Sequence, residues 1–521
     1  MARNCGTGIL PVDFTRHKDD SSGFNGFEQA VMLVDGLLAA NERFGPVPAV
    51  DDGTRPLTYR QLTALASVMR GVIEKRTACE RVGILLPAGG AFAATLFGAL
   101  WAGRVAVPLN LLLSPEELRG IVNDAAFDTM ISVRHFTKMA DALPVKTVFL
   151  DDLPLRRKAL VRLMMRPPQA PPVGPDDTAV ILYTSGTTAE PKGVQLTQNN
   201  LHSNCVDSAA SLGLDHNHRF LNVLPPFHVF GLTACVLMPV FLGATVYAIP
   251  RFHPVQAVRT IAEKAVTLMV AIPSMYAAIM KTKSATTEMF NSIKLAISGG
   301  EPLPESVARG FEQRFGVKLR QGYGLTETSP VVAACSLDHT RDGTVGKPIR
   351  NVEVRIVDEA GNMLGPNCDG EILVRGPGVM RGYYNKPEQT QRVIDAGGGF
   401  RTGDMGRLDD DGFLTISGRM KEMLIIGGEN VYPREIEAVL EEHPDVLQAA
   451  VIGLPDESRG EVPIAFVIRQ DGAEVTESEL RTFTRRSLAG FKVPKQIRIE
   501  NDLPTGPTGK ILKRRLPDVL E

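Results

Sequence analysis

The sequence predicts an α/β protein in which a large N-terminal domain of helix-covered β-sheets precedes a smaller α+β C-terminal domain. Over residues 27–140, short apolar runs alternate with helical patterns, and this strand–helix–strand rhythm is typical of a parallel sheet covered by helices. From residue 421 the organisation changes to two strand-like runs and two helical patterns, at 446–452, 464–468, 433–442 and 477–488. About one hundred residues suffice for a domain, so we expect domains at 1–420 and 421–521.

Local signals predict the individual elements of the N-terminal region. Thr58 precedes a helical pattern and Gln61 follows three residues later, a spacing typical of a capping box at a helix N-terminus. The runs 82–87 and 105–109 are short and apolar, and they flank an alanine-rich helical pattern over 91–102. Both runs therefore predict buried strands. This region has no obvious catalytic residue, and we interpret it as scaffold.

Composition and charge exclude several functional classes. The chain has 521 residues, 44% hydrophobic and 22% charged, with a formal net charge of −2, whereas a non-specific nucleic-acid binder is usually basic. Its six cysteines include no CxxC pair, which favours reduced thiols over a disulfide framework or a zinc site. Residues 1–20 lack the apolar core of a signal peptide, so we expect a cytoplasmic protein.

The strongest local signal is the segment 183–193, which follows the buried strand predicted at 178–182. Its small, hydroxyl-bearing and basic residues are Thr184, Ser185, Gly186, Thr187, Thr188 and Lys192. Small residues let backbone N–H groups approach an anion, hydroxyls donate hydrogen bonds, and a lysine adds positive charge. The segment therefore predicts a phosphate cradle, although it lacks the GxxxxGK[ST] spacing of a Walker A loop. From composition alone, a flexible Ser/Thr/Gly loop remains the alternative.

A second strong signal surrounds Tyr323, which stands between Gly322 and Gly324. An aromatic ring with open faces can stack on a planar base. Thr326 adds a hydroxyl, and Glu327 adds the type of oxygen ligand that Mg²⁺ prefers beside phosphates. A turn that carries a surface acid is the alternative interpretation.

The segments around Lys192 and Tyr323 resemble the signatures of the acyl-adenylate-forming (AMP-binding) superfamily, and the resemblance extends over nearly the whole chain. This superfamily includes acyl-CoA synthetases, the adenylation domains of peptide synthetases, and luciferases. Within it, the chain looks most like the medium- and long-chain fatty acyl-CoA synthetases. The resemblance implies that the C-terminal domain is a mobile lid with a hinge near Lys421, and that ATP, Mg²⁺ and coenzyme A take part in the reaction.

The resemblance also implies roles for individual residues. Lys510 would be the catalytic lysine of adenylation, and His228 would lie at the acyl pocket near the reacting carboxylate. Thr184 and Glu327 would hold the metal and contribute to catalysis. The implied nucleotide, acyl-site and pantetheine contacts are Thr184, Ser185, Gly186, Thr187, Thr188, Lys192, Gly299, Gly300, Glu301, Gly322, Tyr323, Gly324, Thr326, Asp404, Arg419, Gly427, Gly428 and Lys510. Among them, Tyr323 would stack on adenine, Asp404 would bind the ribose hydroxyls, and Arg419 would contact ribose or phosphate.

Residues 229–250 form a run of 22 uncharged residues, which is long enough to raise the question of a transmembrane helix. Gly231, Pro239 and Gly243 interrupt the run, so buried core is the favoured interpretation, and the run could also line a channel for an apolar substrate.

Residues 156–166 contain five basic residues and no acidic one, with apolar residues between them. A basic amphipathic helix can lie on an anionic membrane surface. A solvated linker helix is the favoured interpretation, because one short basic segment is a weak signal. Peripheral membrane contact therefore stays open.

These observations predict ATP-dependent activation of a carboxylic acid, foremost a medium- or long-chain fatty acid, to acyl-AMP and pyrophosphate. Transfer of the acyl group to the thiol of CoA would complete the reaction. The alternatives are a fatty acyl–acyl-carrier-protein ligase, an aryl-CoA ligase and a non-catalytic nucleotide- or lipid-binding protein. No nucleic-acid partner is expected.

Overall fold

The computed structural model describes residues 32–184, 191–427, 429–456, 459–470, 472–505 and 511–519. Within these ranges the α-helices are α1 (Leu33–Phe44), α2 (Tyr59–Arg76), α3 (Gly90–Trp101), α4 (Pro115–Ala125), α5 (Thr137–Asp141), α6 (Leu155–Leu163), α7 (Gln198–Leu212), α8 (Val229–Leu232), α9 (Met238–Leu242), α10 (Pro254–Lys264), α11 (Pro273–Met280), α12 (Glu305–Phe315), α13 (Pro387–Val393), α14 (Pro433–Glu441) and α15 (Glu477–Ser487). The strands are β1 (Pro48–Asp51), β2 (Leu57–Thr58), β3 (Arg81–Leu85), β4 (Val105–Pro108), β5 (Thr129–Ser132), β6 (Lys146–Phe149), β7 (Thr178–Thr184), β8 (Lys192–Thr197), β9 (Arg219–Asn222), β10 (Thr245–Ala248), β11 (Leu268–Ala271), β12 (Leu295–Ser298), β13 (Leu319–Gly324), β14 (Val331–Ala334), β15 (Lys347–Pro348), β16 (Glu353–Val357), β17 (Gly370–Arg375), β18 (Gly382–Tyr383), β19 (Phe400–Leu408), β20 (Leu414–Arg419), β21 (Leu424–Ile426), β22 (Glu429–Val431), β23 (Val446–Asp456), β24 (Gly460–Arg469) and β25 (Gln496–Glu500).

Two large sheets dominate the N-terminal region. One orders nine strands as β15-β14-β13-β12-β11-β9-β10-β1-β2, and the other orders seven as β18-β8-β7-β4-β3-β5-β6. Strand β3 pairs in parallel with both β4 and β5, as the alternating pattern predicts. A smaller antiparallel sheet follows, in the order β16-β17-β19-β20. The predicted α/β fold is confirmed.

The local predictions hold in the same region. Helix α2 begins at the Thr58 cap, where both hydrogen bonds of the capping box with Gln61 are present. Strand β3, helix α3 and strand β4 follow one another within a few residues of the predicted bounds. The predicted scaffold is thus the central part of the seven-stranded sheet with its covering helices.

The main apolar core contains α3 and the segment from α8 to β10, together with residues of both large sheets. Trp101, Phe92 and Phe97 are fully buried there. A π-helical segment, Thr233–Leu237, joins α8 to α9, and all of its residues are buried. The prediction that 229–250 forms buried core is therefore confirmed. Across the described residues, no helix combines the length and apolarity needed to span a bilayer.

The C-terminal region contains a separate sheet, ordered β22-β21-β24-β23, with β25 beside β24. Helix α14 carries a buried charged group: Arg434 contacts Glu441 at 2.8 Å, and Lys513 contacts Glu437 at 2.7 Å. Lys513 also pairs with Glu422 at 3.0 Å. The last described segment of the chain is thereby tied to the residue that follows the predicted hinge.

The cysteine prediction holds in part. Cys79, Cys205, Cys235 and Cys335 are free thiols. It is wrong at Cys368, which is disulfide-bonded: scattered spacing in the sequence does not determine which thiols meet in the fold.

Candidate active site

The described ends of the predicted phosphate segment, Thr184 and Lys192, lie where β7 ends and β8 begins. Strands β7 and β8 are antiparallel, and their register places Thr184 directly opposite Lys192. The hydroxyl and the ammonium group predicted to contact phosphate therefore stand at the two sides of one connection. Ser185, Gly186, Thr187 and Thr188, which belong to that connection, lie outside the described residues, as do Gly428 and Lys510.

Glu327, the predicted metal ligand, is joined to this hairpin by a tyrosine. The Tyr383 hydroxyl donates a 2.9 Å hydrogen bond to Oε1 of Glu327. Tyr383 belongs to β18, which pairs with β8 at Val194, and Lys192 Nζ lies 5.6 Å from the centre of the Tyr383 ring. Burial, together with the Glu327 carboxylate, raises the pKa of Tyr383 far above its usual range. The phenol thus stays a neutral donor that holds the carboxylate.

The predicted adenosine contacts form a second group. The Tyr323 hydroxyl donates a 2.7 Å hydrogen bond to Oδ2 of Asp404, and Arg419 Nε lies 3.0 Å from Oδ1 of the same carboxylate. Asp404 and Arg419 are register partners in β19 and β20. Burial and the Asp404 charge raise the pKa of Tyr323 well above its usual value. A buried aspartate is therefore oriented on both oxygens, while Gly322 and Gly324 bring no side chain beside the ring.

The predicted hinge lies between these groups and the C-terminal sheet. Burial of the ammonium group, and then the nearby Arg419 charge, lower the pKa of Lys421. Asp404 and Lys192 also act on this group, in opposite directions, so Lys421 lies within electrostatic reach of both parts of the site. Gly427, predicted to line the pantetheine passage, has a φ of +62°, a conformation that glycine adopts readily.

His228, predicted at the acyl pocket, precedes α8. Its Nε2 atom is buried and has no hydrogen-bond partner among the described residues. Burial lowers the pKa of His228 to about 4, so the imidazole is neutral near pH 7. A neutral ring with an unpaired buried nitrogen can hydrogen-bond to a ligand atom without a net charge of its own.

The strand ends near His228 form an apolar wall. A Cβ atom on Gly299 would stand 3.0 Å from the Phe230 ring, and one on Gly300 would stand 3.6 Å from Ile272. A side chain at position 299 would therefore require the Phe230 ring to move by a few tenths of an ångström. Glu301, the next residue, is partly exposed at the start of the connection to α12. These residues bring β12, α8 and α11 together at one side of the predicted site.

Tyr383 is the residue that sequence reasoning missed. Its two partners lie far away in the chain, and the Arg–Gly–Tyr–Tyr stretch around it carries no local sign of a site. No local signal could have found it, because β18 is only two residues long. Thr326 lies in a short 3₁₀ turn with Glu327.

The residues present fit a magnesium ion that is shared with a nucleotide. Among the described residues, no cluster of three or more His, Cys, Asp or Glu side chains could hold a metal by itself. Mg²⁺ in phosphate-transfer sites is held by one or two protein oxygens together with substrate phosphates and water. Glu327, fixed by Tyr383, and the Thr184 hydroxyl are donors of this kind.

Comparison with known proteins decides the family. The model of the AMP-binding enzyme family matches residues 37–384, and that of the AMP-binding enzyme C-terminal domain matches residues 435–510. The chain belongs to the AMP-binding enzyme family. It is an AMP-forming acyl-CoA ligase that works through an acyl-adenylate, with ATP and CoA as co-substrates and a small-molecule carboxylic acid as the substrate that is activated.

The relatives of this ligase act on different acids. It is 36% identical over 471 residues to a feruloyl-CoA synthase of Amycolatopsis sp, covering 89% of this chain and 94% of the relative. It is 34% identical over 476 residues to a long-chain-fatty-acid–CoA ligase of Bacillus subtilis, covering 84% and 85%. An Escherichia coli O157:H7 long-chain-fatty-acid–CoA ligase is 33% identical over 530 residues, covering 93% and 94%.

Solved structures share the fold over almost the full chain. The structure of an anthranilate CoA ligase, AuaEII, in complex with anthranoyl-AMP has a TM-score of 0.86 at 26% identity, covering 94% of this chain and 97% of that one. ATP-bound MatB from Rhodopseudomonas palustris has a TM-score of 0.84 at 28% identity, covering 93% and 98%. The ligase therefore has the architecture of enzymes solved with ATP and with an acyl-adenylate.

Proposed function

We propose that this ligase activates a medium- or long-chain fatty acid and transfers the acyl group to CoA. The observation that carries the proposal is the apolar wall at the strand ends, where Phe230 and Ile272 lie against Gly299 and Gly300. Phe230 and Ile272 also pack against the main apolar core. Such a wall suits an alkyl chain better than a charged or strongly polar acyl group.

The neutral His228 supports the same proposal. An imidazolium would bind a carboxylate as an ion pair and reduce its nucleophilicity, whereas a neutral imidazole can orient it through one hydrogen bond. Because the pKa of His228 is about 4, the neutral form prevails near pH 7. We therefore assign His228 an orienting role at the reacting carboxylate.

Catalysis would be mainly electrostatic. A carboxylate that approaches the α-phosphate of ATP meets a polyanion, and positive charge has to offset this repulsion. Lys192 stands at the predicted phosphate segment, opposite Thr184, and Lys510 would contribute from the C-terminal domain. Bound Mg²⁺ would supply further positive charge at Glu327. We propose that rotation near Lys421 then withdraws Lys510 and admits the thiol.

An aryl acid is the second candidate. The specific observation in its favour is the similarity to a feruloyl-CoA synthase at 36% identity, together with the half-buried Phe230 ring, whose face suits a planar substrate. Both candidates use the same adenylation chemistry and differ only in the shape of the acyl group.

A carboxylate panel tests the proposal. Pyrophosphate release with Mg-ATP is measured for acetate, hexanoate, laurate, palmitate, benzoate and ferulate, with and without CoA. The proposal expects release that CoA stimulates and that is greatest for one of the alkyl acids longer than acetate. A maximum with ferulate or benzoate would select the aryl candidate. Acid-dependent pyrophosphate release that CoA does not stimulate, but an acyl carrier protein does, would indicate that the carrier protein is the acceptor.

A pair of variants tests the role proposed for Lys510. Lys510→Ala should abolish adenylation but leave ATP binding measurable by calorimetry. Lys495→Ala is the matched control, because this exposed lysine of the same region has Asp456 as its one ion-pair partner among the described residues. Equal behaviour of both variants in the adenylation assay would refute the role proposed for Lys510.

A further inference from the structure

Helix α6 (Leu155–Leu163) lies on the surface of the N-terminal region, with one side towards the protein. It packs against α2, and Leu155 and Ala159 contact the main apolar core. The segment that follows is fixed at the carbonyl of Gln169, which accepts hydrogen bonds from Trp101 Nε1 at 3.0 Å and from Arg70 at 3.1 Å. The helix therefore presents one constant face to the outside.

Four large apolar side chains are exposed on the outer face of α6 and in the two residues that follow it. The exposed fractions of Leu160, Val161, Met164 and Met165 are 60%, 56%, 83% and 53%. Eleven large hydrophobic side chains are exposed among the described residues, and these four fall within six consecutive positions. Single exposed apolar residues are normal, but a contiguous group indicates a binding surface. The expectation of an ordinary solvated linker does not account for this grouping.

The same segment carries concentrated positive charge. Its basic residues are Arg156, Arg157, Lys158, Arg162 and Arg166, with no acidic residue between them. Within the described residues, none of the five forms an ion pair. The acidic residue upstream, Asp152, already pairs with Arg134 at 2.6 Å. Among the residues that the structure describes, the positive charge thus has no carboxylate paired with it.

We propose that the outer face of α6 and residues 164–166 dock this protein onto an anionic lipid bilayer. Basic residues would meet lipid phosphates, and the four exposed apolar side chains would enter the boundary between headgroups and acyl chains. The inner face is occupied by α2, so the helix offers only its outer face, which suits contact with a flat surface. The stretch has no aromatic residue, unlike single-strand nucleic-acid sites that stack bases. The inference does not depend on which acid the enzyme activates.

Vesicle sedimentation tests the proposal on the full chain. Phosphatidylcholine vesicles are compared with vesicles in which about one-third of the lipid is phosphatidylglycerol. Each basic residue near an anionic surface contributes about fivefold to partitioning, so Arg156→Gln with Arg157→Gln should lower the partition coefficient about 30-fold. The matched control is Arg485→Gln with Arg486→Gln, two exposed positions on α15, which should change partitioning by less than about threefold.

A second variant keeps the charge and removes the apolar contact. Val161→Ser with Met164→Ser should weaken binding to anionic vesicles while the thermal unfolding temperature and the CoA-ligase activity in solution stay unchanged. Three results would overturn the proposal: no binding of the wild type to anionic vesicles, an equal loss in the α15 control, or vesicle binding that the serine variant leaves intact. Binding to heparin or duplex DNA without vesicle binding would identify a polyanion surface instead.

Discussion

Replacing Tyr383 by Phe removes one hydroxyl group and keeps the aromatic ring beside Lys192. The hydroxyl donates a 2.9 Å hydrogen bond to Glu327, the residue proposed to hold Mg²⁺. A hydrogen bond to a charged group contributes about 1.5–3 kcal/mol, and loss of a residue that orients a metal ligand lowers metal affinity about 10- to 100-fold. We therefore expect the half-saturating Mg²⁺ concentration to rise at least about tenfold.

The assay is pyrophosphate release at saturating ATP and acid, titrated with free Mg²⁺. Tyr384→Phe is the control, because the adjacent ring lies 5.4 Å from Arg81 and has no contact with Glu327 among the described interactions. Tyr383→Leu also removes the ring that lies beside Lys192. This variant should therefore raise the KM for ATP as well, because Lys192 is predicted to contact phosphate. An unchanged Mg²⁺ midpoint in Tyr383→Phe, with Tyr384→Phe as reference, would refute the reasoning.

Three further substitutions have defined outcomes. Asp404→Asn should raise the KM for ATP about tenfold and leave the KM for the acid unchanged. Steady-state kinetics measures both KM values, and equal changes in the two would contradict a ribose contact. His228→Gln should make the stability of the folded protein less sensitive to acid. The pKa of His228 is about 4 in the folded protein instead of 6.5, so the unfolded chain binds the extra proton first as the pH falls. Stability from this group is present above about pH 6.5 and decreases by up to about 2 kcal/mol towards pH 5, measurable as the difference in unfolding between wild type and variant. Lys513→Met should lower the free energy of unfolding of the C-terminal region by about 3 kcal/mol, because the Glu422 and Glu437 carboxylates lose the ammonium group that they share. Limited proteolysis measures this change. Lys495→Met, at an exposed ion pair, should lower the free energy of unfolding by less than about 1 kcal/mol.

Local patterns in the sequence were sufficient for individual elements such as α2, β3 and β4, and for the α/β fold class. The capping box at Thr58 involves residues three positions apart, and buried strands such as β3 and β4 are marked by their own apolar runs. The parallel order followed because short helical connections leave few alternatives. These features depend on neighbours in the chain, which a single sequence contains.

Contacts between distant segments could not be predicted in this way. The Tyr383–Glu327 bond requires β18 to pair with β8, and the Tyr323–Asp404 bond requires the nine-stranded and four-stranded sheets to meet. Neither pairing has a local pattern, because each partner strand is specified by residues far away in the chain. The exposure of the four apolar side chains in and just after α6 has the same limit: the sequence shows which residues are apolar, and only packing shows which of them stay exposed.

The central claim is that one site forms an acyl-adenylate and then transfers its acyl group to CoA. The most direct measurement is mass spectrometry of the products made by the wild type from Mg-ATP and laurate, first without CoA and then after its addition. We expect enzyme-bound lauroyl-AMP and pyrophosphate in the first step, and lauroyl-CoA with AMP in the second. Production of ADP, or the absence of any acyl-AMP with every acid of the panel, would contradict the account.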